Sequence, residues 1–539
     1  MRQVGPVLPL QPQGIHEFAR PGHEGMENTP RPPAGGGSPF PSQRKLLAGL
    51  MMFGVAGFVA ALVSTRWGAA LGDDSFHYIS AARSLAQGAG LRVPTPDGAS
   101  QPLVHFPPLL SIALAVLVAL GVDAVEAIRY LNAALFAANI LLTGSAVYLI
   151  TRSTAFSLLG ASLALLSDVL VEVHAAAMSE ALYLFLSMSA LTVLAACLAN
   201  RRPALLLLAS VAAGLTILTR LVGLSLIPVG AVGIFLFQAE EGRRRVRDLA
   251  LYLVGSLLPF VLWVGRNLVL TGGLSDRAFG WRPLGAGWLR AGLNEVLLWF
   301  APGRIVHGRE IPLLLLISAP GIVFLLGSLL RSRVGSTSTR TSVSQGLGTL
   351  LAVYSVAYLA IVILGRAFFD ELVPLDRRLL SPVHQAVLIL LAAGVWALWR
   401  SQLRWMRPAA VVGALAFLGF YAYRAVGSLT YLYQQGKGYA SRGWHSSEGI
   451  EFVRRNPEVT VYSNAAAAIY FWTGRVTAPI DAALDPQTAT DDEGCSVIIA
   501  FDSIPLELYH VTAEELAGGK VVVQVNDALL LLAPRCAQS

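Results

Sequence analysis

Apolar runs near the ~20-residue length that crosses a ~30 Å hydrocarbon core recur along most of the chain, separated by short polar turns. They predict membrane-spanning helices over about 46–71, 126–150, 155–173, 180–199, 204–219, 222–238, 249–270, 311–330, 346–365, 379–399 and 408–426, eleven crossings in all. A further run, FPPLLSIALAVLVALGV over 106–122, opens on two prolines and is barely long enough to span. The last hundred or so residues lose the apolar pattern. There SSEGIEFVRRN reads as an amphipathic helix, TVYSN as a strand, AAAAIYFWTG as a helix and CSVIIAF as a strand, and KVVVQVNDALLLLA as a hairpin turned at Asn526 and Asp527. The first 43 residues, rich in Pro and Gly without an apolar period, read as a disordered cytoplasmic tail that is not a signal peptide; Met26 is an alternative start. The domains expected are therefore a tail over 1–43, a membrane domain over 44–430 with a first outer loop over 72–125, and an extracytoplasmic α/β domain over 440–539.

Charge orients these spans. If 106–122 stays on the outer side as an interfacial or re-entrant helix, the loops with Arg152, Arg201, Arg202, the run RRRVR over 243–247, Arg331, Arg333, Arg340, Arg400, Arg404 and Arg407 share the side of Arg44 and Lys45. If it crosses, they fall outside, against the positive-inside rule. The first arrangement is expected, with the N-terminus inside and the C-terminal domain outside.

Composition agrees: 539 residues are 55% hydrophobic and only 14% charged, with a mean hydropathy of +0.60, far from the range of soluble domains. The net charge of +7 sits in loops between spans, where orientation accounts for it and a nucleic-acid partner is not expected. Of three cysteines, Cys197 lies in a span; Cys495 and Cys536 share the terminal domain, where a disulfide stays open.

On the outer face this topology gathers Asp73 and Asp74 after the first span, His174 and Glu180 around the next outer turn, Arg220 in another, an amphipathic helix within WLRAGLNEVLLWF, and DELVPLDRRLLSPVH leading into the tenth span. Ionisable groups near a membrane interior are costly and mark functional candidates. Acids and arginines on one face suit a phosphate-bearing substrate with a proton to move.

Several of these segments, in order, resemble motifs of the C-type (GT-C) membrane glycosyltransferase superfold. DDSFHYISAARSLAQGAG resembles its first outer loop, VHFPPLLSIALA its juxtamembrane Tyr-Pro-Pro-Leu helix, and MSEALYLFL its second acidic motif. LTRLVGLSLIP resembles Leu-Thr-Arg-Pro-x-Gly-Leu with Leu221 where Pro is common, and DRRLLSPVH resembles Arg-Tyr-Leu-x-Pro with Leu379 in place of the tyrosine. By pattern the chain is most similar to the group of bacterial protein O-mannosyltransferases, aminoarabinose transferases and lipopolysaccharide-core glycosyltransferases. The resemblance implies transfer of a sugar from a polyprenyl-phosphate donor to a lipid, glycan or protein hydroxyl on the outer face of a bacterial cytoplasmic membrane, with inversion. It implies Asp73 as base, Asp74 and Glu180 as supporting acids, and Arg378, Arg220, Arg377 and His105 as ligands of phosphate or substrate.

Other readings stay open beside these. Asp73 and Asp74 would equally cap a helix from Ser75 to Gly88, Glu180 would complement a helix dipole behind the N-cap Ser179, and Arg377 with Arg378 would anchor a span by snorkelling. Asp168 and Glu172 read as cavity-lining or interfacial. His77, His105 and His174 lack zinc spacing, and no metal ligand is assigned; a divalent cation (Mg or Mn) between Asp73, Glu180 and phosphate stays open. A lipid-linked sugar flippase or secondary transporter is the rival class, although no internal repeat supports it.

Overall fold

The computed structural model describes residues 40–237, 242–273, 277, 279–306, 343–369, 373–484, 496–509, 511–512, 516 and 521–532. The expected tail up to residue 39, the span over 311–330, and Cys495 and Cys536 lie outside the described residues. The chain is a mostly helical multi-pass membrane protein with a small α/β domain at its C-terminal end.

Among the described residues seven helices are long and apolar enough to cross a bilayer. They include α1 (Phe40–Ser64), α4 (Ala124–Thr151), α7 (Glu180–Asn200) and α10 (Gly242–Thr271). The others are α12 (Val343–Phe368), α13 (Arg377–Trp399) and α14 (Met406–Gln435). Three expected spans differ in form. The 155–173 span is two helices, α5 (Thr154–Leu165) and α6 (Asp168–Ala175), bent by 55°. Ser167 N-caps α6 at Leu170 N and binds His384 Nε2 at 2.9 Å, so the break is held from outside. The runs at 204–219 and 222–238 are the shorter helix α8 (Pro203–Thr219), then a 3-10 turn (Leu221–Ser225) leading into α9 (Leu226–Phe237). The first span stops at Ser64 instead of 71, because the chain turns there and Ala70 and Leu71 pair with Ala176 and Gly438.

Two short helices follow. α2 (Asp73–Ala86) packs on α3 (Leu109–Ala119), which has 11 residues and so about 16 Å of length, too little to cross. Between them Arg92–Pro94 (β1) and Ser100–Pro102 (β2) form an antiparallel hairpin that the hydrophobic pattern did not signal. α11 (Ala286–Leu298) is the helix expected within WLRAGLNEVLLWF.

Close packing joins the spans where side chains are small. A Cβ on Gly57 of α1 would clash with Ile140 of α4, and one on Gly144 of α4 would clash with Leu50 of α1. Polar groups also cross the interior: Gln385 donates to Asn139 and Thr143, and Asn139 meets His174 Nε2 at 3.0 Å.

The terminal domain carries α15 (Glu448–Arg455), α16 (Ala466–Thr473) and a five-stranded sheet. Its strands are β3 (Thr460–Ser463), β4 (Ala478–Pro479), β5 (Ser496–Phe501), β6 (Val521–Gln524) and β7 (Ala528–Leu532), ordered β4-β3-β5-β7-β6. β3 runs parallel to β4 and β5; β7 is antiparallel to β5 and β6, which closes the expected hairpin. One apolar cluster unites this domain with α2 and α3: Ile79, Ala82 and Leu110 lie with Trp444, Ile469 and Phe501. The domain is thereby seated on α2 and the site beside it.

Candidate functional site

The two aspartates occupy the first positions of α2, where acids favour the helix dipole. Neither caps it. Gly72 is the N-cap residue, and its N–H donates to Ser75 Oγ at 3.0 Å, leaving both carboxylates for tertiary partners. The helix therefore starts two residues before the expected Ser75 and ends at Ala86. Asp73 Oδ1 accepts from Tyr439 Oη at 2.8 Å. Asp74 Oδ2 lies 3.3 Å from Arg378 Nη1.

Tyr439 reaches Asp73 through backbone as well as side chain. Its N–H donates to Leu71 O at 2.9 Å, and its carbonyl accepts from Trp472 Nε1 at 2.9 Å. Asp73 is exposed by surface area, although protein atoms lie around much of its carboxyl. Partial removal of water raises its pKa, the Tyr439 hydrogen bond opposes the rise, and the charge of Asp74 adds to it. Burial, then the neighbouring carboxylate, holds Tyr439 well above the usual phenol range, so it stays a donor. Tyr509 of the terminal domain is pushed up to about 12, by burial first and Asp73 second.

Glu180, the first residue of α7, is buried at 2% side-chain exposure. Its Oε1 lies 2.5 Å from Arg220 Nη1 and 3.4 Å from Arg378 Nε. Its Oε2 is buried without a hydrogen-bond partner among the described residues. Ser179 does not cap α7; its hydroxyl instead meets Tyr78 Oη at 3.1 Å and accepts from Arg220 at 3.3 Å. Asp74, Glu180, Arg220 and Arg378, from four separate elements, thus form one cluster, with Asp73 at its edge and Tyr439 beyond.

Arg377 belongs to a second cluster. It lies 2.8 Å from Glu172, 3.7 Å from Asp168 and 3.7 Å from Glu295. Arg424 pairs with Asp168 at 2.6 Å and Lys437 with Glu172 at 2.8 Å. Adjacent arginines at the start of a helix, about 100° apart around its axis, thus serve different acid sets. His105 stands apart from both clusters: its Nε2 meets Arg277 Nη2 at 3.1 Å and its ring packs edge-on against Phe106.

Four of these residues had no signal in sequence. Tyr439 lies in a glycine-flanked stretch that reads as linker, 366 residues from Asp73. Tyr78, Arg424 and Lys437 look like ordinary interfacial side chains; for Tyr78, its place one turn after Asp74 on the same helix was the available clue.

The acids of the cluster are engaged by basic partners. Asp74 and Glu180 already face guanidinium groups, and among the described residues no three His, Cys, Asp or Glu side chains converge on a common point.

No family model matches the chain, and no curated protein matches it. Among solved structures it is similar to ArnT from Cupriavidus metallidurans bound to undecaprenyl phosphate, at 15% identity and a TM-score of 0.48 over 89% of this chain and 97% of that one. It is also similar to the mycobacterial arabinofuranosyltransferase AftD, at 14% identity and a TM-score of 0.49, covering 91% of this chain and 41% of that one. A third likeness is to the arabinosyltransferase EmbB from Mycobacterium smegmatis, at 14% identity and a TM-score of 0.36, covering 71% and 41%.

Proposed function

We propose that the protein is a membrane-embedded glycosyltransferase that moves a sugar from a polyprenyl-phosphate donor to a hydroxyl acceptor on the extracytoplasmic face. The observation that carries this reading is the division of labour among neighbouring charges. Asp73 has no cationic partner among the described residues, while Arg220 and Arg378 stand together within reach of the same acids. A base without an ion pair beside two guanidinium groups suits attack by a hydroxyl and departure of a phosphate.

In this reading the acceptor oxygen forms a bond to the anomeric carbon as the carbon–oxygen bond to the lipid phosphate breaks. The hydroxyl proton passes to Asp73. The bonding pair leaves with the phosphate, whose charge Arg378 and Arg220 neutralise. Attack opposite the leaving phosphate inverts the anomeric centre. Asp74 and Glu180 hold the two arginines in place, Tyr439 holds Asp73, and Arg377 and His105 serve the outer parts of donor or acceptor. The ordered motif resemblance supports the same assignment, and a lipid of this class, undecaprenyl phosphate, is the molecule bound to ArnT. The loop arginines at helix ends away from the site support a cytoplasmic N-terminus and a bacterial inner-membrane location.

The test is transfer from radiolabelled polyprenyl-phosphate sugars by the purified full chain in lipid, wild type against Asp73→Asn. Glycosylated acceptor or sugar-free lipid phosphate from wild type, with donor binding but no turnover by the variant, is the expected result. Movement of intact labelled lipid across the bilayer with its sugar bond unbroken would identify a flippase and overturn the proposal.

A further inference from the structure

A cavity opens where α1 ends and α14 meets the terminal domain. It has a volume of about 410 Å³ and is lined by Arg66, Trp67, Tyr433, Gln434, Gln435 and Arg442. Residue 66 lies two positions beyond α1, residues 433–435 are the last of α14, and Arg442 opens the terminal domain. The cavity thus sits at the depth where spans meet water, the level at which aromatic and basic side chains meet lipid headgroups.

Its wall is held in place. Trp67 Nε1 donates to Tyr433 O at 3.1 Å, and the carbonyl of Trp67 lies 3.3 Å from His445 Nε2. Gly436, at φ +69°, brings the turn so close that a Cβ there would meet Ser441 Cα at 3.0 Å and Trp67 Cβ at 3.2 Å. The Arg66 guanidinium lies 4.3 Å from the Tyr433 ring centre and 5.0 Å from that of Trp67. Stacking of this kind engages the faces of a guanidinium and leaves its in-plane N–H groups for an acceptor. Neither Arg66 nor Arg442 has a carboxylate partner among the described residues, unlike Lys437 close by in sequence, which is paired with Glu172.

Two uncompensated guanidinium groups, two aromatic rings and two amides around one recess suit a phosphate oxyanion carrying polar substituents. The supply of such anions at this depth is the bilayer. Below the cavity both helices present apolar side chains outward, Val55, Val59 and Val63 on α1 and Val412, Leu415 and Val426 on α14. These are surfaces for acyl chains, not for a soluble ligand.

We propose that this cavity is a binding site for the phosphate headgroup of an anionic phospholipid, separate from the Asp73 site and independent of what that site transfers. A lipid seated there would bridge the end of α1, the end of α14 and the terminal domain.

Native mass spectrometry of the full chain, released from nanodiscs of phosphatidylcholine with a minor fraction of phosphatidylglycerol, reads the site directly. Wild type is expected to retain phosphatidylglycerol selectively, and Arg66→Gln/Arg442→Gln to lose about tenfold of that retention. An Arg404→Gln/Arg407→Gln variant, altered at the opposite helix ends, is expected to keep it. Equal retention by wild type and the Arg66/Arg442 variant overturns the proposal, as does displacement of the lipid by millimolar inorganic phosphate. Thermal midpoints monitor folding, and should the double variant unfold, Arg442→Gln alone, on an exposed side chain, carries the same comparison.

Discussion

Asp73 and Tyr439 set the expected pH behaviour of the proposed reaction. A general base acts deprotonated, so turnover is lost as pH falls through its pKa. The raised pKa of Asp73 brings that loss to a higher pH than an ordinary aspartate would show. Tyr439→Phe removes a hydrogen bond that favours the carboxylate, and the acid limb of the kcat profile should move further up. The expected signature is a several-fold lower kcat on the acid side, a donor KM unchanged, and recovery at higher pH. A purely structural role for Tyr439 would lower kcat at every pH. Arg378→Gln should do the reverse and raise the donor KM at least tenfold, since it removes a charge-assisted contact to phosphate. The aspartates could be found in sequence because adjacent acids after an apolar span are conspicuous. Tyr439 could not, because neither hydrophobic period nor spacing links it to residue 73.

Helices place the cluster, and their ends decide which charges meet. Glu180 begins α7, Arg378 stands in the first turn of α13, and Arg220 ends α8, so three helix ends converge on one buried carboxylate. Arg220→Met would leave Glu180 with Arg378 alone, at the longer distance. Removing one partner of a buried pair costs about 3 kcal/mol, which lowers the thermal midpoint in detergent. Glu180→Gln/Arg220→Met should lose clearly less than the sum of the two single variants, a coupling above about 1 kcal/mol. Additive losses would show that the pair does not act as a unit. At this scale the apolar pattern was a good guide to where helices lie, since a bilayer demands long apolar runs. It failed where tertiary partners bend or shorten a run. The α5–α6 break depends on Ser167 bonding His384, 217 residues away, and the end of α1 at Ser64 depends on a segment of chain that pairs with Ala176 and Gly438.

The whole molecule is joined at that segment. Residue 70 pairs with Ala176, directly after the end of α6, and residue 71 with Gly438, where the terminal domain begins. The membrane helices, the α2 aspartates and the soluble domain thus share one short seam. Gly438 is its tightest point: it has φ +62°, and a Cβ there would clash with Leu71 O, a backbone atom that cannot swing aside. Gly438→Ala must therefore open the seam. A left-handed alanine alone costs about 1–2 kcal/mol, too little to unfold a bundle whose spans pack without this residue. The local shift carries Tyr439 away from Asp73, since the Tyr439 N–H bond to Leu71 O is the contact displaced. The expected outcome is a protein with wild-type helicity and donor binding, and at least a tenfold loss of turnover. Limited proteolysis should cut between α14 and α15 faster than in wild type. If Gly438→Ala retains full turnover, the seam does not position the base, and the terminal domain's seat on α2 is packing alone.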